Sequence, residues 1–286
     1  MIVKTRNKEL KKYNRIMLQC TLIDIFLNIM TFVARPIVVT QDGQESIIIN
    51  PLIRISRSME QIFSVFWVFA LFYSICALPT SFFYRYRILC LNKTFPTSLQ
   101  MTCLSVSGFI SVTYAGHYYY AFCVRTKDYL KFAENLAPWF ASEDGRVNAI
   151  AIVGGFDNYI YIFMTHAVIL TVGTYIVIIS LSWKVYKFMK YHKSSISINA
   201  NFFDIQNQLT KTLIAQSIIP LFTFALPIIF IIVTVTLPIH ISPEISATTS
   251  VFFSYIPMGN ALSMLFFVKS YRKRGYMILK QYFNQI

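Results

Sequence analysis

Asp24 is the one acidic residue inside a long apolar stretch, Ile16–Ala34. A carboxylate at membrane depth costs about 2.5–3.5 kcal/mol on insertion scales, so it faces other helices and finds partners there. Counted along a helix, Asp24 lies eleven residues beyond Tyr13, about 16 Å, and Asn260 lies nine residues before Lys269, about 14 Å. The shared depth predicts an intramembrane polar pair joined by a hydrogen bond, a water or an ion. The plainer alternative is a protonated Asp24 satisfied by a neighbour such as Asn28. A second candidate is Arg85 between Tyr84 and Tyr86, at the end of another apolar stretch. Position alone favours a guanidinium snorkelling to headgroups beside interfacial aromatics. A third is a set of aromatics and histidines in the other half of the chain's apolar segments: Phe63, Phe66, Trp67, Tyr114, His117, Tyr118, His166 and Tyr255. Phe63, Phe66 and Trp67 share one helix face by spacing. The set could line an apolar ligand pocket with a few polar handles, although structural packing is the commoner role for any one member.

Catalytic chemistry has no comparable footing. The four histidines (His117, His166, His192, His240) are scattered without an i, i+4 pair, and no C-x-x-C, H-E-x-x-H, Walker loop or G-x-G-x-x-G occurs. No enzyme, metal or cofactor is expected. Chains of intramembrane acids, as in a proton-coupled pump, are also missing.

The elements that position these residues follow from composition. Of 286 residues 56% are hydrophobic, 16% aromatic and 13% charged, against about 25% charged in soluble domains. Five stretches, 61–84, 94–124, 158–183, 212–243 and 245–268, contain no Asp, Glu, Lys or Arg. Each is long enough to cross a bilayer as a helix, which needs about 20 residues. With Ile16–Ala34 they make six spans. Strict alternation of the barrel type is absent, and backbone in lipid must be satisfied within the segment. The expected fold is an all-α multi-span transmembrane helical bundle: a basic stub at 1–12, the bundle at 13–270 and an amphipathic tail at 271–286. In the tail, Tyr276, Leu279, Tyr282 and Phe283 fall on one helix face behind Arg272, Lys273 and Arg274.

Charge orients the bundle. Nineteen of the 26 Lys and Arg fall in the stub, in the loops near Arg85 and Lys187, and in the tail; basic loops stay in the cytoplasm, so both termini are assigned there. The net charge of +14 is thereby a topology signal, and no nucleic acid is expected as partner. The partners are the lipid membrane and whatever the pocket admits. The N-terminal apolar stretch is too long for a signal-peptide core and lacks a cleavage site. The single sequon, Asn92-Lys93-Thr94, lies on the cytoplasmic side, and no extracellular disulfide is expected from the five cysteines. Pro220, Pro227 and Pro257 lie within spans and predict kinks.

Four segments, in order and on consistent faces, carry a resemblance. They are Leu18-Gln19-Cys20-Thr21-Leu22-Ile23-Asp24, Phe82-Phe83-Tyr84-Arg85-Tyr86, Gln208 through Pro220, and Phe267-Val268-Lys269-Ser270-Tyr271-Arg272-Lys273. The chain resembles the nematode seven-transmembrane chemoreceptors of the Str superfamily, its Srd or Str branches, from about Leu10 to about Lys273. The resemblance implies a seven-helix receptor fold with six spans visible and the first helix not among them. It implies a small-molecule chemical cue, an odorant or pheromone, bound in the outer half, and a heterotrimeric G protein met by Tyr84, Arg85 and Tyr86. It implies a plasma-membrane location, in a sensory cilium. The family's Asn-Pro pair is Asn260-Ala261 here, and Pro257 stands one turn earlier. A six-span transporter or channel, or a truncated non-signalling receptor, remains an alternative reading of the same spans.

Overall fold

Each uncharged stretch becomes a helical passage. The structure, a computed structural model, describes residues 8–41, 44–51, 55–124, 149–153, 158–192, 200–237 and 241–267, with 272–273, 276–277 and 280–281 in the tail. Helix α1 runs Lys8–Ala34; α2 (Arg57–Cys76) and α3 (Leu78–Leu89) form one passage interrupted at Ala77. Helix α4 (Thr97–Tyr118) continues into a π-helical turn, Tyr119–Val124. Three long helices complete the bundle: α5 (Asn158–His192), α6 (Ala200–Thr236) and α7 (Pro243–Phe267). Helix α1 packs on α2 and α7, α2 on α4, α3 on α5, and α6 on α7. Below, inner and outer denote the ends that the charge distribution assigns to the cytoplasm and the exterior.

Four passages are apolar enough to span a membrane by composition as well as length: Arg15–Ala34, Ser58–Leu89, Tyr161–Tyr191 and Thr210–Thr234. Helices α4 and α7 carry no charge across their middles but are rich in Ser and Thr, which lowers their hydropathy. Those hydroxyls turn back onto their own helix. Thr102 donates to the Ser98 carbonyl at 3.0 Å, Ser111 to that of Ser107 at 2.8 Å, and Thr249 to that of Ser246 at 2.7 Å. These three hydroxyls are therefore satisfied within their own helix, as lipid favours.

The passages are helical as expected, but the outer end also carries a small sheet. Strands β1 (Pro36–Gln41), β2 (Gln44–Ile49) and β3 (Ala149–Val153) pair antiparallel in the order β1-β2-β3. The cause is local: two β-branched runs flank Asp42-Gly43, a strong hairpin signal in sequence. In register, Val38 lies opposite Ile47 and Thr40 opposite Glu45. Val38, Ile47 and Ile49 belong to the bundle's main core. Period-two alternation then puts Thr40 and Glu45 on the same bundle-facing side. The sheet is pinned to α6 and α7 by hydroxyls. Val38 N donates to Ser250 Oγ at 2.7 Å and Thr40 N to Ser246 Oγ at 3.2 Å, while Thr234 Oγ1 donates to Thr40 Oγ1 at 3.0 Å.

The core is aromatic and continuous. Trp67 and Phe224 each meet Phe253 edge-on at 5.9 Å, and Phe72 meets Phe224 at 5.3 Å. Tyr114 stacks on Phe163 at 4.9 Å, and Phe122 meets Phe163 at 5.1 Å. Such pairs add about 0.5–1.5 kcal/mol each beyond their burial. Apolar residues left outside, such as Ile169 and Ile179 on α5, face hydrocarbon, where no hydrophobic penalty applies.

Pro220 and Pro227 lie inside α6 and Pro257 inside α7. One interruption that neither charge nor hydropathy marks is at Ala77, just before Pro79 near the start of α3. Ala77 N donates to the Tyr73 carbonyl at 3.0 Å and Thr80 N to that of Ala77 at 3.1 Å, which tightens the joint. In the tail, Leu279, Tyr282 and Phe283 lie outside the described residues. So do His240 and the side chain of His192. No disulfide joins any of the five cysteines.

Candidate functional site

Three layers stack along the bundle. The middle layer is the Asp24 region. Asn260 Nδ2 donates to Asp24 Oδ1 at 3.0 Å, linking α7 to α1. Asn28 points outward and is exposed. The pair borders a small void of about 20 Å³, whose polar walls are Asp24, Ser74, Ser81, Gln216 and Asn260. That space admits roughly one water. Asn260 Oδ1 is buried and has no hydrogen-bond partner. Gln216 Nε2 reaches the Asn260 carbonyl at 3.4 Å, and Ser81 Oγ lies 3.2 Å from Cys20 Sγ. The layer therefore ties α1, α3, α6 and α7 by polar contacts, in a medium where such contacts fix helix positions. Among the described residues no three His, Cys, Asp or Glu side chains converge to hold a metal ion. A further polar tie between α1 and α4, which spacing does not reveal, is Gln100 Nε2 to Gln19 Oε1 at 2.7 Å, both side chains buried.

The inner layer surrounds Arg85. A snorkelling guanidinium would be open to headgroups, yet Arg85 is only 4% exposed and Tyr84 only 7%. Tyr84 packs in the inner core with Ile16, Met17, Phe95 and Leu213, meeting the Phe95 ring edge-on at 5.4 Å. Tyr86 is turned toward α5, with Lys184 Nζ 5.3 Å from its ring centre, a cation–π distance. The loop after α3 is clamped from both sides. Arg15 donates to Thr97 Oγ1 at 2.6 Å and to the Phe95 carbonyl at 2.7 Å; Arg87 Nε donates to the Thr94 carbonyl at 2.8 Å.

The outer layer holds part of the aromatic set. Trp67, Tyr114 and Tyr118 are buried in the core, and Phe63 packs against it. His117 Nδ1 and His166 Nδ1 lie 3.3 Å apart, joining α4 to α5, and His166 sits edge-on to Tyr114 at 5.2 Å. Phe66 and Tyr255 are instead 49% and 44% exposed. Phe66 departs because only the Phe63–Trp67 edge of that helix face turns inward. The structure adds members that the sequence pattern does not single out: Phe72, Phe122, Phe163, Phe224 and Phe253 from five separate elements. It also adds Glu45, brought over this core by β2. Glu45 is 5% exposed, and its Oε2 has no hydrogen-bond partner. Burial pushes its carboxyl from 4.5 up to about 8. Alternation in the β2 strand is the one sequence signal for Glu45; nothing in sequence spacing joins the five phenylalanines.

The comparisons agree with this architecture. The family model described as serpentine type 7TM GPCR chemoreceptor Str matches residues 1–275. Among solved structures, squid rhodopsin superposes with a TM-score of 0.55 at 11% identity, over 74% of this chain and 62% of that one. The chain thus spans less than two thirds of the rhodopsin's length, and the likeness is one of fold. No curated protein matches the sequence.

Proposed function

The chain belongs to the Str family of serpentine seven-transmembrane chemoreceptors, and from that premise we propose that it is a G-protein-coupled receptor for a small-molecule chemical cue, an odorant or pheromone. The ligand is recognised in the outer layer, beneath the sheet, where Tyr114, Tyr118, His117, His166 and Glu45 offer polar handles in an aromatic surround. The G protein docks at the inner end, around Tyr84, Arg85 and Tyr86, with both ends of the chain on the cytoplasmic side and the bundle in the plasma membrane. The proline-bearing helices α6 and α7 and the Asp24–Asn260 contact between the two layers are the elements that shift on activation.

The observation that carries this reading is the burial of Arg85. A guanidinium sequestered at the inner end of α3, on the same passage whose outer part contributes Trp67 and Phe72 to the aromatic core, suits a resting state. Movement of α3 relative to α1, α5 and α6 would then present it to a partner, a population shift between packed arrangements. The test is a cellular G-protein activation assay across a panel of volatile and pheromone-like compounds. It compares wild type with Arg85→Ala and Arg85→Lys at matched surface density. Wild type is expected to respond to at least one compound, and Arg85→Ala to lose the response while still binding that compound. An Arg85→Ala response equal to wild type would refute the coupling role.

A further inference from the structure

Two histidines far apart in sequence meet at one point of the fold. His117, in the last turn of α4, and His166, two turns into α5, bring their Nδ1 atoms to 3.3 Å across the seam between the helices. The ring centres are 5.6 Å apart, so each Nδ1 stands on the edge of its ring that faces the other. A hydrogen bond joins them when one ring carries its proton on Nδ1, but the separation lies beyond the roughly 2.7–3.2 Å of a well-made bond from a nitrogen donor. It matches another geometry. Two imidazole nitrogens bound at about 2.0–2.1 Å to one tetrahedral ion stand about 3.3–3.4 Å apart, and a small swing of the rings turns both lone pairs onto a shared centre.

The surroundings suit such an ion. Aromatic rings hold both imidazoles: His117 meets Phe163 edge-on at 5.8 Å, and His166 meets Tyr114 edge-on at 5.2 Å. Both histidines are only half-buried, so one side of the pair is open. Gly116, the chain neighbour of His117, is exposed, and a Cβ there would meet nothing within 4 Å; that open space leaves room for waters to complete a coordination shell. Depth provides access. Tyr119 and Tyr120 after α4, and Tyr159 and Tyr161 at the start of α5, are exposed, and the Tyr120 and Tyr159 rings lie 5.7 Å apart. Exposed tyrosines of this kind mark the boundary between membrane and water. His117 and His166 lie within two turns of them, at the outer end, where an ion arrives from the exterior.

We propose that His117 and His166 form a binding site for one borderline transition-metal ion, Zn²⁺ or Cu²⁺, which takes both Nδ1 atoms, completes its shell with water and ties α4 to α5. Imidazole suits these ions, whereas Ca²⁺ and Mg²⁺ require oxygen ligands that the pair does not offer. Binding asks only that one ring move its proton from Nδ1 to Nε2, so two neutral imidazoles supply both lone pairs and no proton is lost. An ion there withdraws the two Nδ1 atoms from a chemical cue, which keeps Tyr114, Tyr118 and Glu45. Because α5 is the main packing partner of α3, the tie bears on the helix that carries Arg85. The site rests on this geometry and requires neither the cue nor the G protein.

The test uses the full chain, without a polyhistidine tag, in lipid nanodiscs. Zn²⁺ is titrated while the melting temperature is followed, with Ca²⁺ and Mg²⁺ as controls. Zn²⁺ is expected to raise the melting temperature of wild type, because an ion held by the folded state stabilises it. His117→Asn and His166→Asn are each expected to weaken the Zn²⁺ affinity by at least about tenfold, which is what losing even an outer-shell partner costs at metal sites; His240→Ala is expected to behave as wild type. Electron paramagnetic resonance with Cu²⁺ reads the ligands directly and needs no variant to fold: the wild-type spectrum is expected to show splitting from two imidazole nitrogens. The absence of a Zn²⁺-dependent shift in wild type, a shift that survives both Asn variants, or a Cu²⁺ spectrum with a single nitrogen would overturn the site. A shift of equal size with Ca²⁺ or Mg²⁺ would overturn the class of ion.

Discussion

The contact between Asp24 and Asn260 admits a quantitative test. The Asn260 amide donates to Asp24 Oδ1 at 3.0 Å, and its own Oδ1 has no hydrogen-bond partner. The side-chain energy of Asn260 toward its neighbours is therefore concentrated in one bond between α7 and α1. Interhelical hydrogen bonds in membranes average about 0.6 kcal/mol in double-mutant cycles and reach about 1.7 kcal/mol. A length of 3.0 Å lies at the mode for an N–H···O bond, which places this contact in the upper half of that range. The adjoining void of about 20 Å³ moderates the single losses, because a water can replace either missing partner. We expect Asp24→Ala and Asn260→Ala to be non-additive by about 1–1.7 kcal/mol. The measurement is unfolding in mixed micelles for wild type, both single variants and the double variant, repeated as basal and ligand-evoked signalling. A coupling energy below about 0.3 kcal/mol, the additivity of distant sites, would refute the reasoning.

Three other perturbations follow from the same geometry. A Cβ at Gly259 would collide with Ile219 Cγ2 and approach its Cδ1 at 3.2 Å, so Gly259→Ala should destabilise the α6–α7 contact by about 1–3 kcal/mol; a melting curve checks this, and Ile219→Ala in the same chain should restore part of the loss. Burial raises Glu45 from 4.5 to about 8, so between those values the folded chain keeps a proton that the unfolded chain has released. Stability should accordingly fall as pH rises from about 4.5 to about 8 and level off above it; Glu45→Gln should flatten that slope, and parallel melting-temperature profiles for the two proteins would count against the buried carboxyl. Arg15→Ala removes both donors that hold the Phe95–Thr97 turn; a loss of about 1 kcal/mol, with faster amide exchange in residues 91–95, is expected.

Much of the architecture is legible in charge alone. Uncharged stretches longer than a bilayer is thick specify helices, because lipid leaves the backbone no other partner than itself. The asymmetry of Lys and Arg assigns the two ends, and the depth of Asp24 and Asn260 from the basic end follows from helical rise. That shared depth is why a pair 236 residues apart can be matched by counting residues. The resemblance to the Str family rests on local segments in order, and these survive in sequence. Other features depend on which face of a helix turns inward, and a helix apolar all round does not encode that. Phe66 and Trp67 are indistinguishable by type and neighbours, yet one is half exposed and the other buried. Arg85 has the composition of a snorkelling residue, and only the packing of α3 against α1, α5 and α6 encloses it. The facing of His117 and His166 and the meeting of five phenylalanines in one core are properties of how the helices lean on one another. Side-chain volume and interhelical polar contacts set those angles in lipid, where the hydrophobic effect no longer selects a face.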